Sequence, residues 1–185
     1  GGDEVTSGYP RVSEILDEAG LGPDLSRAPR GALEVAQQRG INGHELIAAH
    51  HYGYLDEGQT APLAYLAFLE ESGHEPTTSE FAVTSERWRF VGHPDRLGWL
   101  TGRRCLLDWK FSNTLELPPV ARQLAAYRLA WHEMHPEQRI EICAAVQFLS
   151  TGRPKFHEFG AEELARAESE FLAALVCYHA RRRTT

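Results

Sequence analysis

Hydrophobic positions in the first 75 residues recur every three to four residues, which is the period of an amphipathic helix. This spacing predicts helices over residues 11–20, 30–55 and 60–71, with a loop over residues 23–29. Gly20 is expected to end the first helix, while Gly40 and Gly43 mark either a break in the second helix or a close approach to another element. Thr60 is expected to cap the third helix, with Pro62 in its first turn.

The period changes to two in the middle of the chain, where the alternation predicts β-strands. Strands are predicted over residues 79–85, 88–100, 105–111, 140–149 and 155–159. Thr101-Gly102 predicts a hairpin turn between the second and third of them. Helical spacing returns over residues 119–135 and 161–183. This order predicts an α/β fold in which a mixed sheet of about five strands is flanked by helices.

The composition is that of one ordinary globular domain, with 185 residues, 42% of them hydrophobic and 24% charged. We expect a single domain over residues 1–185, made of a helical part over 1–75 and an αβ core over 76–185. No apolar run could span a membrane and the first ten residues lack a signal pattern, so a cytoplasmic location is expected. The 3 cysteines are too few and too scattered for a disulfide framework.

The net charge of −7 is unevenly distributed, which leaves a nucleic-acid partner open. Residues 1–80 contain 4 basic and 14 acidic residues, whereas residues 81–185 contain 15 basic and 12 acidic residues. A solvated basic face explains the second part as well as DNA binding does, so charge alone does not decide. Only 2 of the 19 basic residues are lysines, which makes a lysine within a candidate site informative.

Two aspartates and a lysine are expected to converge at one end of the predicted hairpin. Asp108 and Lys110 lie two residues apart on one strand and share a face, and the hairpin brings Asp95 alongside Asp108. Close carboxylates repel each other unless a cation joins them, and hard divalent cations prefer carboxylate oxygens. A turn aspartate and a surface strand pair are the non-functional interpretation, but Leu106, Leu107 and Trp109 indicate a buried strand. The pattern therefore favours metal-assisted chemistry on a phosphodiester.

The segment Pro94-Asp95, followed by Asp108-Trp109-Lys110, resembles the signature of the PD-(D/E)xK nucleases. Gln123 and Tyr127 resemble the Q-x-x-x-Y helix motif of the RecB-type branch, and His44 resembles the metal-binding histidine of that branch. The matches extend over most of the chain and are most similar to small single-domain exonucleases, including mitochondrial, phage and prophage members. The resemblance implies a restriction-endonuclease-like core.

The resemblance also implies a role for each matching residue. The metal ligands would be the side chains of His44, Asp95 and Asp108 and the backbone carbonyl of Trp109. They would hold one or two Mg²⁺ or Mn²⁺ ions. Asp95, Asp108 and Lys110 would form the catalytic set.

Four further residues are candidate DNA contacts. Gln123 and Tyr127 share a helix face and would brace the site or contact the DNA backbone, although a solvated or core role is the alternative. Arg96 and Arg122 come from the basic stretch that surrounds the motifs. Glu80 is equally compatible with a place near the metal and with a surface position.

The resemblance implies a metal-dependent deoxyribonuclease that acts as an exonuclease on single-stranded DNA. A structure-specific or flap endonuclease on the same fold and a catalytically silent DNA-binding module are the alternatives. A carboxylate-pair glycosidase would leave Lys110 and His44 unexplained. No cysteine precedes Cys105 and no C-terminal trio exists, so no iron–sulfur cluster is expected. A phosphate-binding G-x-x-x-x-G-K-[ST] loop is absent, so we expect a stand-alone nuclease or one recruited by a separate replication or recombination protein.

Overall fold

A computed structural model describes residues 8–24, 26 and 30–183 of the chain. Its helices are α1 (Val12–Glu18), α2 (Arg30–Tyr52), α3 (Leu63–Ser72), α4 (Leu117–Met134) and α5 (Ala161–Arg182). Its strands are β1 (Glu75–Ser79), β2 (Val83–Ser85), β3 (Phe90–Gly92), β4 (Arg96–Leu100), β5 (Arg103–Lys110), β6 (Ile142–Phe148) and β7 (Pro154–Glu158). All five predicted helices are present, and residues 25 and 27–29 of the predicted loop lie outside the described part.

Five strands form one mixed sheet in the order β1-β4-β5-β6-β7. The central pair β5–β6 is parallel, and the other neighbours are antiparallel. The predicted mixed sheet of about five strands is therefore confirmed. The hairpin between β4 and β5 is closed by Thr101 and Gly102, whose φ angles of 52° and 76° are those of the two-residue turns that suit a right-handed strand twist.

Two of the predicted strands are wrong in their extent. Residues 79–85 divide between the end of β1 and the separate strand β2, and residues 88–100 divide into β3 and β4. Strands β2 and β3 pair with each other outside the main sheet. The second interruption falls at Pro94, which has no N–H to donate to a strand ladder. The first falls at Glu80, whose φ of 49° turns the chain out of the strand.

The sheet is covered on both faces, and β5 shows how its residues divide. Leu106 packs in the cluster formed with α1, α4 and α5, whereas Leu107 and Trp109 pack in the cluster under α2 and α3. Side chains alternate between the faces of a strand, so Asp108 lies on the same face as Leu106. Burial of both faces explains why five successive residues of β5, Cys105 to Trp109, are all buried.

Helix α2 runs from Arg30 to Tyr52 without interruption, so the predicted break at Gly40 or Gly43 is wrong. The alternative, a close approach, is confirmed at Gly43, where a Cβ atom would overlap the ring of Phe111. Helix α3 begins after Pro62, and Thr60 does not cap it. Within the described part of the chain, no helix is both long and apolar enough to cross a membrane.

Candidate active site

Asp95 lies immediately before β4 and is 7% exposed. Its Oδ2 atom accepts a hydrogen bond of 2.6 Å from the backbone N–H of Trp109 on β5. The hairpin register pairs Arg96 with Leu107, so the next step of the ladder sets Asp95 opposite Asp108. The prediction that the hairpin brings these two aspartates alongside each other is confirmed by this register.

His44 reaches this end of the sheet from α2. Its Nδ1 atom lies 3.4 Å from Asp95 Oδ1 and 3.3 Å from Glu80 Oε1. His44, Glu80 and Asp95 each offer one potential metal-ligand atom, and these three atoms lie within 4.8 Å of one another. This arrangement could hold a metal ion. Histidine nitrogen and carboxylate oxygen together suit divalent ions such as Mn²⁺ and Mg²⁺.

Glu80 reaches the group through an unusual backbone conformation. Its φ of 49° lies in the left-handed region, which costs a residue with a Cβ atom about 1–2 kcal/mol. Its N–H donates to the backbone oxygen of Asp95 at 3.0 Å, so the bend is tied directly to that aspartate. Strain of this kind, held by its surroundings, is a feature of functional sites.

Asp108 and Lys110 form an ion pair beside this group, with Nζ and Oδ2 2.8 Å apart. Asp108 is buried, and the ammonium group of Lys110 is the partner of its Oδ2. A buried carboxylate is costly unless a cation pairs with it, and a bound metal ion would add to the pairing that Lys110 supplies. Asp108 does not belong to the three-residue metal group, although it lies next to it.

The charges of the site shift the pKa values of its members. Burial lowers the pKa of His44, but hydrogen bonds to Asp95 and Glu80 outweigh it and raise the pKa to about 10. Burial raises the pKa of Asp108, opposed by Lys110 and reinforced by Asp95. Burial acts to lower the pKa of Lys110, but Asp108 and Asp95 raise it above its ordinary value. His44 and Lys110 are therefore the cations that balance the carboxylates when no metal is bound.

Gln123 and Tyr127 extend the site along α4. The Gln123 side chain accepts a 3.4 Å hydrogen bond from Lys110 Nζ and donates one of 2.7 Å to the Tyr127 hydroxyl. Tyr127 is buried against Gly92, where a Cβ atom would overlap its ring. These contacts join the two residues to Lys110, and their predicted role in bracing the site stays a prediction. A recess of about 280 Å³ opens beside them and is also lined by Arg11 and His93.

The structure corrects the assignment of Arg96 and Arg122 as DNA contacts. Arg96 is 0% exposed and its guanidinium packs 5.8 Å from the ring of Tyr65 and 5.6 Å from that of Trp109. Arg122 binds Glu170 on α5 at 2.5 Å and the backbone oxygen of Leu21 at 3.0 Å. Strand alternation directs Arg96 into the core under α2 and α3. Arg122 lies on the face of α4 that packs against α5.

Glu80 is the site residue that sequence reasoning left undecided, because strand alternation assigns it no position near His44. The signal that could have identified it is the interruption of the predicted strand 79–85 by an acidic residue. The carbonyl of Trp109 stays a predicted ligand. The structure does show that the N–H of the same residue holds Asp95.

The chain matches the model of the PD-(D/E)XK nuclease superfamily over residues 14–182. A search of curated proteins finds no match.

Among solved structures, a candidate exonuclease from Eubacterium rectale is 12% identical with a TM-score of 0.50, covering 86% of this chain and 69% of that one. The alkaline exonuclease LHK-Exo from Laribacter hongkongensis is 16% identical, with a TM-score of 0.45 and coverage of 97% and 94%. Its complex with dAMP gives a TM-score of 0.48 at 16% identity, with coverage of 94% and 89%. The match to the family model extends over nearly the whole chain and includes the metal group and the Asp108–Lys110 pair, and the chain belongs to the PD-(D/E)XK nuclease superfamily.

Proposed function

We propose that this chain is a metal-dependent deoxyribonuclease that degrades single-stranded DNA from its ends. Membership of the family makes it a nuclease that uses divalent metal ions. The observation that carries the proposal is the convergence of His44, Glu80 and Asp95 beside the Asp108–Lys110 pair. A module that only bound DNA would gain nothing from three carboxylates next to a phosphate, since like charges repel.

The residues present fit a divalent ion. His44 Nδ1, one oxygen of Glu80 and one oxygen of Asp95 already face one another, and Asp108 is a buried carboxylate beside them. We assign these four side chains to the ion, with Mg²⁺ or Mn²⁺ as its identity. When bound, such an ion lowers the pKa of a coordinated water and offsets charge on a phosphodiester.

Lys110 is assigned to the reacting phosphate. Asp108 and Gln123 hold its ammonium group on two sides, so its position is set before substrate arrives. A fixed cation at this point orients a water molecule and stabilises the negative charge that develops on the phosphate. Gln123 and Tyr127 are positioning residues, because they act by holding Lys110.

The preference for single strands and free ends is supported by the way α2 lies against the metal group, with His44 within 3.4 Å of Glu80 and Asp95. His44 is brought to the metal group by a helix that packs so closely on Phe111, the residue after β5, that Gly43 leaves no room for a Cβ atom. A helix in this place narrows the access to the carboxylates, and a flexible single strand passes it more easily than a duplex. Arg11 and His93, which are exposed in the recess beside Gln123, would contact the phosphates of the entering strand.

The decisive assay uses end-labelled linear single-stranded DNA, linear duplex and closed circular single-stranded DNA, each with Mg²⁺ or Mn²⁺ and each with a chelator control. We expect rapid loss of the linear single strand, slow loss of the duplex, resistance of the circle and no activity with chelator. The Asp108→Asn variant is the matched inactive control. Cleavage of circles as fast as linear strands would indicate the endonuclease alternative, and full activity in excess chelator would refute the metal assignment.

A further inference from the structure

We infer that Tyr52 and Tyr54, at the C-terminal end of α2, form a stacking platform for the bases of single-stranded DNA next to the metal group. The inference rests on the proposed function and extends it, because it names a substrate contact that lies outside the catalytic motifs. Tyr52 is 47% exposed and Tyr54 is 77% exposed. Their rings are nearly parallel, at an interplanar angle of 27° with centroids 6.3 Å apart.

The platform is joined to the metal group by short hydrogen bonds. The Tyr52 hydroxyl donates to the backbone oxygen of Ser79 at 2.7 Å, and the N–H of Ser79 returns a bond of 3.3 Å to the same hydroxyl. Ser79 precedes Glu80, and its own hydroxyl donates to the backbone oxygen of Asp95 at 3.2 Å. The ring of Tyr52 is therefore held at a set place relative to two of the three metal-binding side chains.

The end of α2 holds Tyr54 over Tyr52. Gly53 has a φ of 74°, its N–H donates to the oxygen of His50 at 3.3 Å, and the N–H of Tyr54 donates to the oxygen of Ala49 at 2.8 Å. This pair of bonds is the Schellman termination of a helix, which turns the chain back on itself. The motif usually buries the residue after the glycine against the helix. Here that residue is a largely exposed aromatic ring.

An exposed pair of rings that is rigid before substrate binds loses little conformational entropy on binding, which suits a nucleobase. The face of a tyrosine ring stacks on any base, so such contacts tolerate sequence, as a degrading enzyme requires. Arg96 is buried near Tyr52 and forms no ion pair within the described residues. Its positive charge therefore lies beneath the surface that carries the two tyrosine rings. The exposed residues Asp56 and Glu57 follow Tyr54 in the chain. Their negative charges would repel the DNA phosphates, so that the bases of the strand face the tyrosine rings.

The distance along α2 predicts which base is bound. Tyr52 lies eight residues after His44, a rise of roughly 12 Å along the helix. At about 3.4 Å per stacked nucleotide, this corresponds to roughly three to four nucleotides from the scissile phosphate, and fewer if the strand is extended.

The test measures binding separately from cleavage. Fluorescence anisotropy in chelator gives the dissociation constant of a labelled 12-nucleotide single strand, and a series of oligonucleotides carries one abasic position each. We expect Tyr54→Ala to weaken binding of the intact strand about 5- to 10-fold, Tyr54→Trp to restore it, and the melting temperature to stay unchanged. Trp99→Ala is the matched control, because Trp99 is also exposed, at 36%, but lies toward the other end of β4 from Asp95.

The abasic series separates stacking from a structural effect of the substitution. For the wild type, one abasic position should weaken binding as much as Tyr54→Ala does. In Tyr54→Ala, the same position should have no additional effect. Equal affinities of wild type and Tyr54→Ala, or an abasic effect that persists in the variant, would overturn the platform. In that case continued cleavage of linear strands would leave the nuclease proposal intact. Tyr54-dependent binding without end-directed cleavage would instead refute only the exonuclease proposal.

Discussion

Replacing Gly43 with alanine tests whether the close packing of α2 on Phe111, the residue after β5, sets the position of His44. An alanine Cβ atom would overlap the tip of the Phe111 ring, and even the third-nearest ring atom, Cε2, would lie at 2.6 Å, where ordinary contacts begin at 3.4 Å. The ring cannot retreat freely, because its centroid lies 5.0 Å from that of Phe148 and 5.5 Å from that of His44. The helix or the ring must therefore move by roughly 1 Å, a displacement that can lower turnover about 100-fold in a catalytic site.

Gly40→Ala provides the matched control on the same helix, since nothing lies within 4 Å of the added Cβ atom. Alanine is better than glycine within a helix by about 1 kcal/mol, so Gly40→Ala should raise the free energy of unfolding by that amount. Gly43→Ala gains the same propensity but loses about 1–3 kcal/mol to overpacking. The two variants should thus differ by about 1–3 kcal/mol, and each kcal/mol shifts the melting temperature by roughly 2–4 °C at this chain length.

Thermal unfolding and calorimetric titration with Mn²⁺ measure the two effects. We expect Gly43→Ala to melt below Gly40→Ala and to bind Mn²⁺ more weakly, because His44 is displaced from Asp95. The double variant Gly43→Ala with Phe111→Leu should recover part of the metal affinity, since the smaller side chain makes room. If Gly43→Ala matched Gly40→Ala in both stability and metal affinity, the reasoning from the packing of α2 would be refuted.

Three further predictions follow from the charges of the site. Asp108→Ala should lose metal binding, whereas Lys110→Ala should keep it and lose turnover; an equal loss of metal affinity in calorimetry would contradict this division. The pKa of His44 is raised to about 10, so a metal ion and a proton compete for its imidazole below that pH. Binding of Mn²⁺ at pH 8 should therefore release about one proton, which calorimetry detects as a binding enthalpy that depends on the buffer, and the apparent affinity for Mn²⁺ should rise with pH. Arg11→Ala should reduce by about one the magnitude of the slope of log DNA affinity against log salt concentration. Arg122→Ala should leave that slope unchanged, because the guanidinium of Arg122 already binds a glutamate.

The order of elements and the pairing of the catalytic strands follow from local sequence. The two-residue turn at Thr101-Gly102 sets the register of the β4–β5 hairpin, and that register places Asp95 opposite Asp108. Strand alternation then places Lys110 on the face of Asp108, where the two form their ion pair. These relations span at most sixteen residues from Asp95 to Lys110, so periodicity and turn chemistry are enough to predict them.

Contacts between distant segments required the tertiary structure. Glu80 joins His44 only because a left-handed residue ends β1 beneath α2, and no periodic pattern encodes that bend. The arginine-rich stretch suggested DNA contacts, yet Arg96 is buried and Arg122 binds α5. The sequence does not show whether a charged side chain faces solvent, because that depends on which face of its helix or strand packs against the rest of the protein.

The α/β fold, the mixed sheet and the D…D-x-K core of the site can be predicted from the chain's pattern, because each depends on short-range periodicity and on one tight turn. Only the folded chain shows which glycine of α2 contacts Phe111, which acid completes the metal group and which basic residues remain exposed. Those outcomes depend on the approach of segments that lie tens of residues apart, such as His44 and Glu80. Packing density and charge pairing select that approach, and both are properties of the folded chain as a whole.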